Sequence, residues 1–336
     1  MRAMLTTAHG GLEVLQYRTD YPRPAPAAGE VLVRVAATAV NFHDIFTRRG
    51  MPGIRIQLPV IVGSDIAGVV DSVGEGVSAS WTGRRVLIDP VLRDGDRVGM
   101  LGETLDGGRA EYVLARESML VEIPAAASFE HAAALPLAYG TAYRMLITQG
   151  SLRAGERVMV LGASGGVGVA CVQLARMVGA EVLAFTSGAA KLERLKALGA
   201  THVGNYTERS FLDIVKEVYG KPRVSGAGGV DVAVNFTGGD TWPETQKCVK
   251  LNGRILCCGA TAGFNLSIDA RYLWTYEHRI IGSDGWLKQD LVTLLELVAE
   301  GRLVPAIDRV LPLEQTREGE RLLEEREVVG KVVLTP

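Results

Sequence analysis

The stretch that decides the fold runs from Val158 to Ala170 and reads Val-Met-Val-Leu-Gly-Ala-Ser-Gly-Gly-Val-Gly-Val-Ala. An apolar run typical of a buried strand leads into a glycine-rich turn, and a stretch of helical character follows. Glycines in such a turn let backbone N–H groups approach a pyrophosphate, and the last one lets the helix pack against the strand. The order of strand, turn and helix therefore predicts a dinucleotide-binding loop rather than only a tight turn. The predicted loop residues are Ala163, Ser164, Gly165, Gly166, Val167 and Gly168.

After this loop, apolar strands alternate with helical stretches. Such a pattern indicates a parallel sheet with helices on both faces. The sequence predicts helices at 166–178 and 190–198, a segment at 242–251, and strands at 157–161, 181–185, 230–236, 254–258 and 279–282. We therefore expect a doubly wound Rossmann domain, which we place at residues 125–287.

The chain before about residue 120 has a different texture, with short β-type runs separated by glycine and proline. Strands are predicted at 30–36, 60–73, 85–89 and 110–115, and again at 307–313 and 331–335. Short strands with few helices favour a partly closed β-barrel. The predicted class is thus α/β, with a barrel formed by residues 1–124 and 288–336 beside the Rossmann domain.

Composition and charge restrict the function. The 336 residues are 47% hydrophobic, enough for two cores, and their 36 basic and 38 acidic residues are scattered along the chain. That balance argues against nucleic acid or an anionic membrane as a partner and favours a small-molecule substrate. The glycine-interrupted apolar stretch is too short for a membrane helix. The four cysteines lack disulfide or zinc spacing, so we expect a soluble cytoplasmic protein.

The end of the second Rossmann strand bears on which nicotinamide cofactor binds. An acidic residue there would hold the ribose 2'-hydroxyl of NADH, but residues 184–191 contain no acid. Ser187 could donate a hydrogen bond to a 2'-phosphate, and Lys191 could bring a positive charge to it. The sequence therefore favours NADPH, the alternative being that Lys191 is a solvated helix residue and the site does not discriminate.

Five segments together resemble the quinone oxidoreductase branch of the medium-chain dehydrogenase/reductase superfamily. They are Asn41-Phe-His-Asp44, Gly63-Ser-Asp-Ile-Ala-Gly68, Gly107-Gly-Arg-Ala-Glu-Tyr112, Ala163–Gly168 and Gly259-Ala-Thr-Ala-Gly263. The resemblance covers essentially the whole chain, with the segments in the expected order. It implies that the barrel is GroES-like and that the protein forms a homodimer or homotetramer.

The resemblance also indicates which zinc ligands this chain lacks. Zinc-dependent relatives hold a catalytic metal at positions that match Asn41, Ser64 and Leu137, and an amide, a hydroxyl and an isobutyl group do not replace thiolate and imidazole as zinc ligands. Their structural zinc uses four cysteines, whereas residues 90–106 here contain none. The resemblance therefore implies that no metal binds.

Conjugated acceptors suit such a metal-free site, because they spread the negative charge that a Lewis acid would otherwise stabilise. The leading hypothesis is an NADPH-dependent quinone or enone reductase. The alternatives are an alcohol dehydrogenase-like reductase of aldehydes and ketones, and a non-catalytic NADPH-binding protein.

Three residues are candidates for catalysis, each with a structural alternative. Asn41 is expected to face the nicotinamide and the substrate oxygen, or else to support its turn. His43 matches a proton-relay position and could donate to an enolate or quinol oxygen, or else bond only to backbone. Tyr139 is a cleft residue or a packing residue. Asp44 and Asp65 are not expected to act as a catalytic pair, and the resemblance implies that Asp44 is a structural partner of nearby backbone.

The remaining cofactor contacts are predicted from the resemblance and from their place at strand ends. They are Asn41, Thr141, Tyr206, Thr237, Gly259, Ala260, Thr261 and Ser283, with Trp286 on a loop near the nicotinamide or in a packing role. At position 235 the family often has an acid, and here it is Asn235.

Overall fold

The computed structural model describes residues 1–51, 53–94 and 97–336. The chain forms two compact units: unit 1 is Met1–Ala138 with Leu287–Pro336, and unit 2 is Tyr139–Trp286. The first boundary lies further along the chain than the predicted 124/125, because helix Phe129–Ala133 packs on strands of the barrel. No helix among the described residues has the length and apolar character needed to cross a membrane.

Unit 1 is built mainly of strands. They are β1 (Ala3–Thr6), β2 (Leu15–Arg18), β3 (Glu30–Val40), β4 (Val60–Ile61), β5 (Asp65–Val73), β6 (Arg85–Ile88), β7 (Val91–Asp94), β8 (Arg97–Met100), β9 (Tyr112–Arg116) and β10 (Leu120–Glu122), with β17 (Ile307–Pro312) and β18 (Lys331–Thr335) from the later segment. Its helices are α1 (Phe42–Arg49), α2 (Phe129–Ala133), α9 (Lys288–Ala299) and α10 (Thr316–Glu324).

The main sheet of unit 1 has the strand order β10-β6-β5-β3-β18-β17, and β9 also pairs with β3. Alternating apolar residues of β3, β5, β6 and β9 fill the barrel interior, including Val31, Val33, Ile66, Ile88 and Val113. The antiparallel register of β3 places Ala39 opposite Asp65 and Val40 opposite Val332. The end of β3, the start of β5 and the start of β18 are far apart in sequence but therefore meet at one end of the sheet.

Unit 2 is a sandwich of helices around a parallel sheet. Its strands are β11 (Arg157–Val160), β12 (Glu181–Thr186), β13 (His202–Asn205), β14 (Val230–Val234), β15 (Val249–Cys257) and β16 (Arg279–Gly282). Its helices are α3 (Thr141–Tyr143), α4 (Gly166–Val178), α5 (Ala189–Ala197), α6 (Phe211–Tyr219), α7 (Trp242–Gln246) and α8 (Ala270–Thr275), with π-helical segments at Leu135–Gly140 and Arg144–Gln149.

The strand order of unit 2 is β13-β12-β11-β14-β15-β16, with every neighbouring pair parallel. The order changes direction at β11, which stands in the middle with β12 on one side and β14 on the other. Ligands of doubly wound sheets bind at the carboxyl ends of the strands beside such a switch point. The predicted α/β class with a GroES-like barrel and a Rossmann domain is confirmed.

Candidate functional site

The glycine-rich loop joins β11 to α4 in the predicted conformation. Gly162 has a φ of +67°, and Gly165 caps α4 without any side-chain hydrogen bond to the first turn. A Cβ on Gly168 would lie 2.4 Å from the carbonyl oxygen of Gly162, so only glycine allows helix and strand to approach this closely. The first-turn N–H groups of α4 are thus available to an anion at the positive end of the helix dipole. These features fit the pyrophosphate of a dinucleotide.

Ser187, Lys191 and Tyr206 lie at the same edge of the unit 2 sheet. Ser187 follows the last residue of β12, and Lys191 is in the first turn of α5. Tyr206 follows β13, its N–H donates to the carbonyl of Thr186 at 3.3 Å, and it is about one-third exposed. The parallel pairing of β12 with β13 therefore places these three residues at neighbouring strand ends, where the ribose end of a dinucleotide is expected.

Two loops at the ends of β14 and β15 carry the other predicted cofactor contacts. Thr237 accepts the N–H of Ala262 at 2.7 Å, and the carbonyl of Phe236 accepts the N–H of Thr261 at 3.1 Å. The loop holding Gly259, Ala260 and Thr261 thus lies against the one holding Thr237. Ser283 follows β16, and its N–H donates to the carbonyl of Cys257 at 2.9 Å.

Asn235 replaces the acid of the family without leaving a polar group unpaired. Its buried amide Nδ2 donates to Thr241 Oγ1 at 3.1 Å and to Thr245 Oγ1 at 2.8 Å. Its Oδ1 accepts the N–H groups of Thr237 and Gly238, both at 3.0 Å. An amide both donates and accepts, so Asn235 fixes the turn after β14 as completely as a carboxylate would.

Tyr139 has the features of a packing residue. Its side chain is completely buried, and its hydroxyl donates to Gln173 Oε1 on α4 at 2.6 Å. Trp286 is also buried, with its ring against Gly140, where a Cβ would lie 2.9 Å from the indole. Thr141 opens α3 and is 8% exposed. The geometry therefore favours the structural alternative for Tyr139 over the predicted catalytic role.

Asn41 belongs to a buried polar triad in unit 1, the Asn41–Asp65–Lys331 triad. Lys331 Nζ donates to Asn41 Oδ1, to Asp65 Oδ2 at 3.0 Å and to the carbonyl of Val40 at 3.1 Å. Asn41 Nδ2 donates to Asp65 Oδ2 at 2.9 Å. The amide predicted to face the substrate therefore already has strong partners at both ends, and its second N–H makes only a 3.4 Å contact with the carbonyl of Ala39. Sequence reasoning missed Lys331.

Of the three positions that match zinc ligands, Asn41 belongs to this triad, while Ser64 and Leu137 adjoin Asp65. Asp65 Oδ1 accepts the backbone N–H of Leu137 at 2.8 Å, and Ser64 is buried with no partner for its hydroxyl in the described parts of the chain. The ammonium of Lys331 supplies the positive charge at this place. A zinc ion does not fit this donor set, because the amide oxygen is occupied by a cation that would repel a second one. No three described His, Cys, Asp or Glu side chains are arranged to hold a metal ion.

Asp44 is part of a second buried network that is structural, as predicted. Its Oδ2 accepts the N–H of Asn41 at 2.8 Å and Arg109 Nη2 at 2.7 Å. Arg109 also pairs with Glu320, which in turn accepts Arg48 Nε at 2.6 Å. Burial raises the pKa of Asp44, and the Arg109 guanidinium opposes that rise. The network joins α1 to α10 with equal numbers of buried acids and bases.

His43 pairs with Glu103, a residue that the sequence did not single out. His43 Nε2 lies 2.9 Å from Glu103 Oε2, as an ion pair rather than an aligned hydrogen bond. Burial lowers the pKa of His43, but the Glu103 contact and the nearby Asp44 and Asp65 carboxylates outweigh it, so the pKa lies above its ordinary value. The predicted alternative, a histidine bonded only to backbone, does not describe this residue.

Three of the four cysteines have a raised pKa and are therefore not activated nucleophiles. Burial raises the pKa of Cys258 to about 12 and raises those of Cys171 and Cys248 as well. A thiol acts as a nucleophile through its thiolate, which such values suppress. Covalent catalysis by these three thiols is therefore disfavoured.

A cavity of about 840 Å³ lies in unit 1, and its lining includes Leu101 and Thr104 of the turn that carries Glu103. Its lining is largely apolar and includes Tyr21, Leu92, Leu101, Tyr112 and Met119. None of the predicted catalytic or cofactor-binding residues lines it. It shares residues with the core of the barrel, among them Leu92, Leu101 and Met119.

Comparisons with known proteins show similarity to oxidoreductases over the whole chain. The alcohol dehydrogenase GroES-like domain family matches residues 27–125, and the zinc-binding dehydrogenase family matches residues 166–300. The chain is 31% identical to the quinone oxidoreductase of Homo sapiens, with 99% of this chain and 97% of that protein covered. It is 33% identical to the synaptic vesicle membrane protein VAT-1 homolog of Rattus norvegicus, with 100% and 84% covered. A crystal structure described as an NAD-dependent alcohol dehydrogenase matches with a TM-score of 0.92, 38% identity and 100% of both chains covered.

Proposed function

This chain belongs to the medium-chain dehydrogenase/reductase superfamily, in its quinone oxidoreductase-like branch, and on that basis we propose that it uses NADPH to reduce quinones or α,β-unsaturated carbonyls without a metal ion. The relatives support an oxidoreductase in the broad sense. Cofactor choice, metal independence and acceptor class are the parts that we propose.

The observation that carries the proposal is the Asn41–Asp65–Lys331 triad. The positions that match a zinc site are Asn41, Ser64 and Leu137, and the amide of Asn41 contacts the Lys331–Asp65 pair, whose formal charges cancel. A neutral cluster stabilises a localised alkoxide far less than a divalent ion does. A quinone or enone spreads the negative charge over several atoms, so it makes a smaller demand on the protein.

The cofactor part of the proposal rests on unit 2. When bound, the reduced nicotinamide supplies a hydride. The first turn of α4 would hold the pyrophosphate, and Ser187 with Lys191 would hold a 2'-phosphate, since the end of β12 carries no acid that would repel it. Of the unit 1 residues, His43 would supply a proton. Asn41 would help to order the site through Lys331 and Asp65.

The test is a panel of NADPH oxidation assays on one purified sample whose zinc content is also measured. We expect turnover with ortho- or para-quinones or short enones, and little with ethanol, acetone or unconjugated aldehydes. Extended chelation should change neither activity nor melting temperature. Good turnover of simple alcohols, no reaction with any conjugated acceptor, or stoichiometric zinc lost together with activity would contradict the proposal.

A second candidate is an alcohol dehydrogenase-like reductase of aldehydes and ketones. The structural neighbour described as an NAD-dependent alcohol dehydrogenase, at 38% identity, favours it. This candidate predicts turnover of ethanol or of simple aldehydes, with NADH at least as effective as NADPH. The same panel run with both cofactors distinguishes the two candidates.

Quaternary structure and location complete the proposal. We propose a cytoplasmic homodimer or homotetramer that pairs cofactor units through β16, the outer strand of its sheet. Three of the four residues of β16 are exposed, which leaves a sheet edge open to a second copy. Sedimentation analysis would measure the oligomeric state, and a monomer would contradict it.

A further inference from the structure

Glu103 lies on a turn that is held firmly in place. The turn follows β8, and within it the N–H of Gly102 donates to the carbonyl of Leu105 at 2.8 Å, while Thr104 Oγ1 accepts the N–H of Met100 at 2.9 Å. Gly102 has a φ of +80°, and a Cβ there would lie 2.6 Å from the carbonyl carbon of Gly63. Backbone packing against Gly63 therefore fixes where Glu103 can reach.

His43 is fixed from the other side. It is the second residue of α1, and the helix start is secured by a capping box in which Asp44 accepts the N–H of Asn41 at 2.8 Å. His43 Nε2 is enclosed against the Glu103 carboxylate, which is itself only 13% exposed. About 20% of the His43 side chain is exposed. Because Nε2 is buried, this exposure falls on the other side-chain atoms. Nε2 is thus held in place at the carboxylate of Glu103.

The charges around His43 make Glu103 its principal partner. Of the three carboxylates that act on the imidazole, Asp44 is paired with Arg109 and Asp65 with Lys331. Among the described residues, His43 is the basic group within ion-pair distance of Glu103. Glu103 is therefore the carboxylate whose charge is balanced by the imidazolium itself.

We propose that Glu103 is a positioning residue that holds the imidazolium of His43 by its ion pair at Nε2, so that Nδ1–H of His43 donates the proton to the reduced acceptor. This inference rests on the proposed reduction of conjugated acceptors. It assigns to the turn after β8 a role in proton transfer that no comparison gives it. A histidine oriented by a carboxylate at one nitrogen and active at the other is a well-established arrangement for general acid catalysis.

The proton step follows the transfer of hydride to the acceptor. An enone that has received a hydride at its β-carbon carries the displaced electron pair as an enolate. The Nδ1–H bond of His43 breaks, its electron pair stays on Nδ1, and a new bond to hydrogen forms at the enolate. His43 is then the neutral Nε2–H tautomer, which Glu103 favours, and it takes its next proton from water. No oxidant or reductant is needed beyond the nicotinamide of the proposed reaction.

The test compares Glu103→Gln, His43→Gln and the surface control Glu75→Gln with the wild type. The first measurement is an NMR titration of the imidazole without cofactor or substrate, with the His43 signal assigned from its loss in His43→Gln. We expect Glu103→Gln to lower the pKa of His43, because the carboxylate charge is gone, and Glu75→Gln to leave it unchanged. Equal His43 titration curves in Glu103→Gln and wild type would overturn the pairing.

The second measurement is the pH profile of kcat with an enone, together with the Kd for NADPH. His43→Gln should lower kcat by about 100-fold, the lower end of typical general-acid effects, and leave the Kd unchanged. Glu103→Gln should resemble wild type at low pH and lose activity increasingly as pH rises. A purely structural role would instead give a loss that is the same at every pH, and that result, or full kcat in His43→Gln, would overturn the proton-transfer role. If the wild type reduced no conjugated acceptor, the proposed function would fail, while the titration would still decide the pairing.

Discussion

Replacement of Lys331 by methionine tests whether the Asn41–Asp65–Lys331 triad stabilises unit 1. Methionine keeps most of the side-chain volume but removes three donor contacts, to Val40, Asn41 and Asp65. Removing one partner of a buried ion pair typically costs about 3–5 kcal/mol. Asp65 would keep the N–H of Leu137 and the amide of Asn41, two hydrogen bonds that reduce the cost. We therefore expect a loss near the lower limit, about 3 kcal/mol.

Urea unfolding followed by far-UV circular dichroism measures this loss. For a unit of this size, about 3 kcal/mol corresponds to a fall in melting temperature of roughly 6–12 °C. Lys288→Met is the matched control in the same unit, because Lys288 makes one exposed contact to the carbonyl of Ser118. That surface change should stay within about 0.5 kcal/mol of wild type.

A double-mutant cycle separates the ion pair from the loss of packing. Asp65→Asn in the Lys331→Met background removes the unpaired charge, so the double variant should be more stable than the sum of the two single losses predicts. A coupling energy near zero, or a Lys331→Met variant as stable as Lys288→Met, would refute the idea that the pair is an energetic unit.

Three further outcomes are expected. Lys191→Ala should weaken NADPH binding by about 1–3 kcal/mol and leave NADH binding nearly unchanged, as measured by fluorescence titration, and an equal loss for both cofactors would contradict the 2'-phosphate role. Gly168→Ala should lower the melting temperature and weaken binding of both cofactors, because its Cβ would lie 2.4 Å from Gly162 O; unchanged values would contradict the close contact. The pKa of His43 is higher in the folded protein than in the unfolded chain. Its ion pair with Glu103 therefore stabilises the fold fully at pH values below the pKa of the unfolded chain, and this stabilisation is lost as pH rises through the pKa of the folded protein. The urea midpoint of wild type should therefore fall with rising pH across that range more than that of Glu103→Gln, and parallel curves would exclude the linkage.

The Rossmann unit could be predicted in most of its elements from sequence. Helix Gly166–Val178 and strand Arg279–Gly282 were placed with the bounds that the structure shows. Buried parallel strands are continuous apolar runs, and the glycine loop marks the order of the elements. The sequence did not predict β13, because the strand His202–Asn205 is short and half polar, and it did not predict α6 (Phe211–Tyr219). The predicted segment at 242–251 contains the whole of α7 (Trp242–Gln246) and the start of β15, which begins at Val249.

The barrel unit was harder to predict in detail. Strands β1 and β2, each of four residues, were missed. The single strand predicted at 60–73 is interrupted after Ile61, and β5 starts only at Asp65. Gly63 has a φ of +101°, which ends the extended conformation there. Gly95 and Asp96, within the stretch compared with the zinc lobe, lie outside the described residues.

The polar clusters needed the structure. Asn41 and Lys331 are 290 positions apart, and only the pairing of β3 with β18 brings them together. A lysine near the start of an apolar strand gives no sign by itself that it is buried, because most lysines lie on surfaces. Glu103 was missed for a similar reason, since its partner depends on the conformation of the turn after β8. The position of Lys331 at the start of an apolar strand could have indicated a buried lysine, because β18 is an internal strand of the sheet.

The pairing of β18 between β3 and β17 has a consequence for the order in which the two units can fold. Unit 1 is assembled from two stretches of chain that the whole of unit 2 separates, and the Thr38–Val40 end of β3 lacks its β18 partner until residues 331–335 arrive. During synthesis, the continuous unit 2 can fold as soon as it leaves the ribosome, whereas the barrel must keep an open edge over the time needed to translate more than half of the protein. An open strand edge is a site for pairing with other chains. The nascent barrel is therefore exposed to mispairing at this edge until β18 is made.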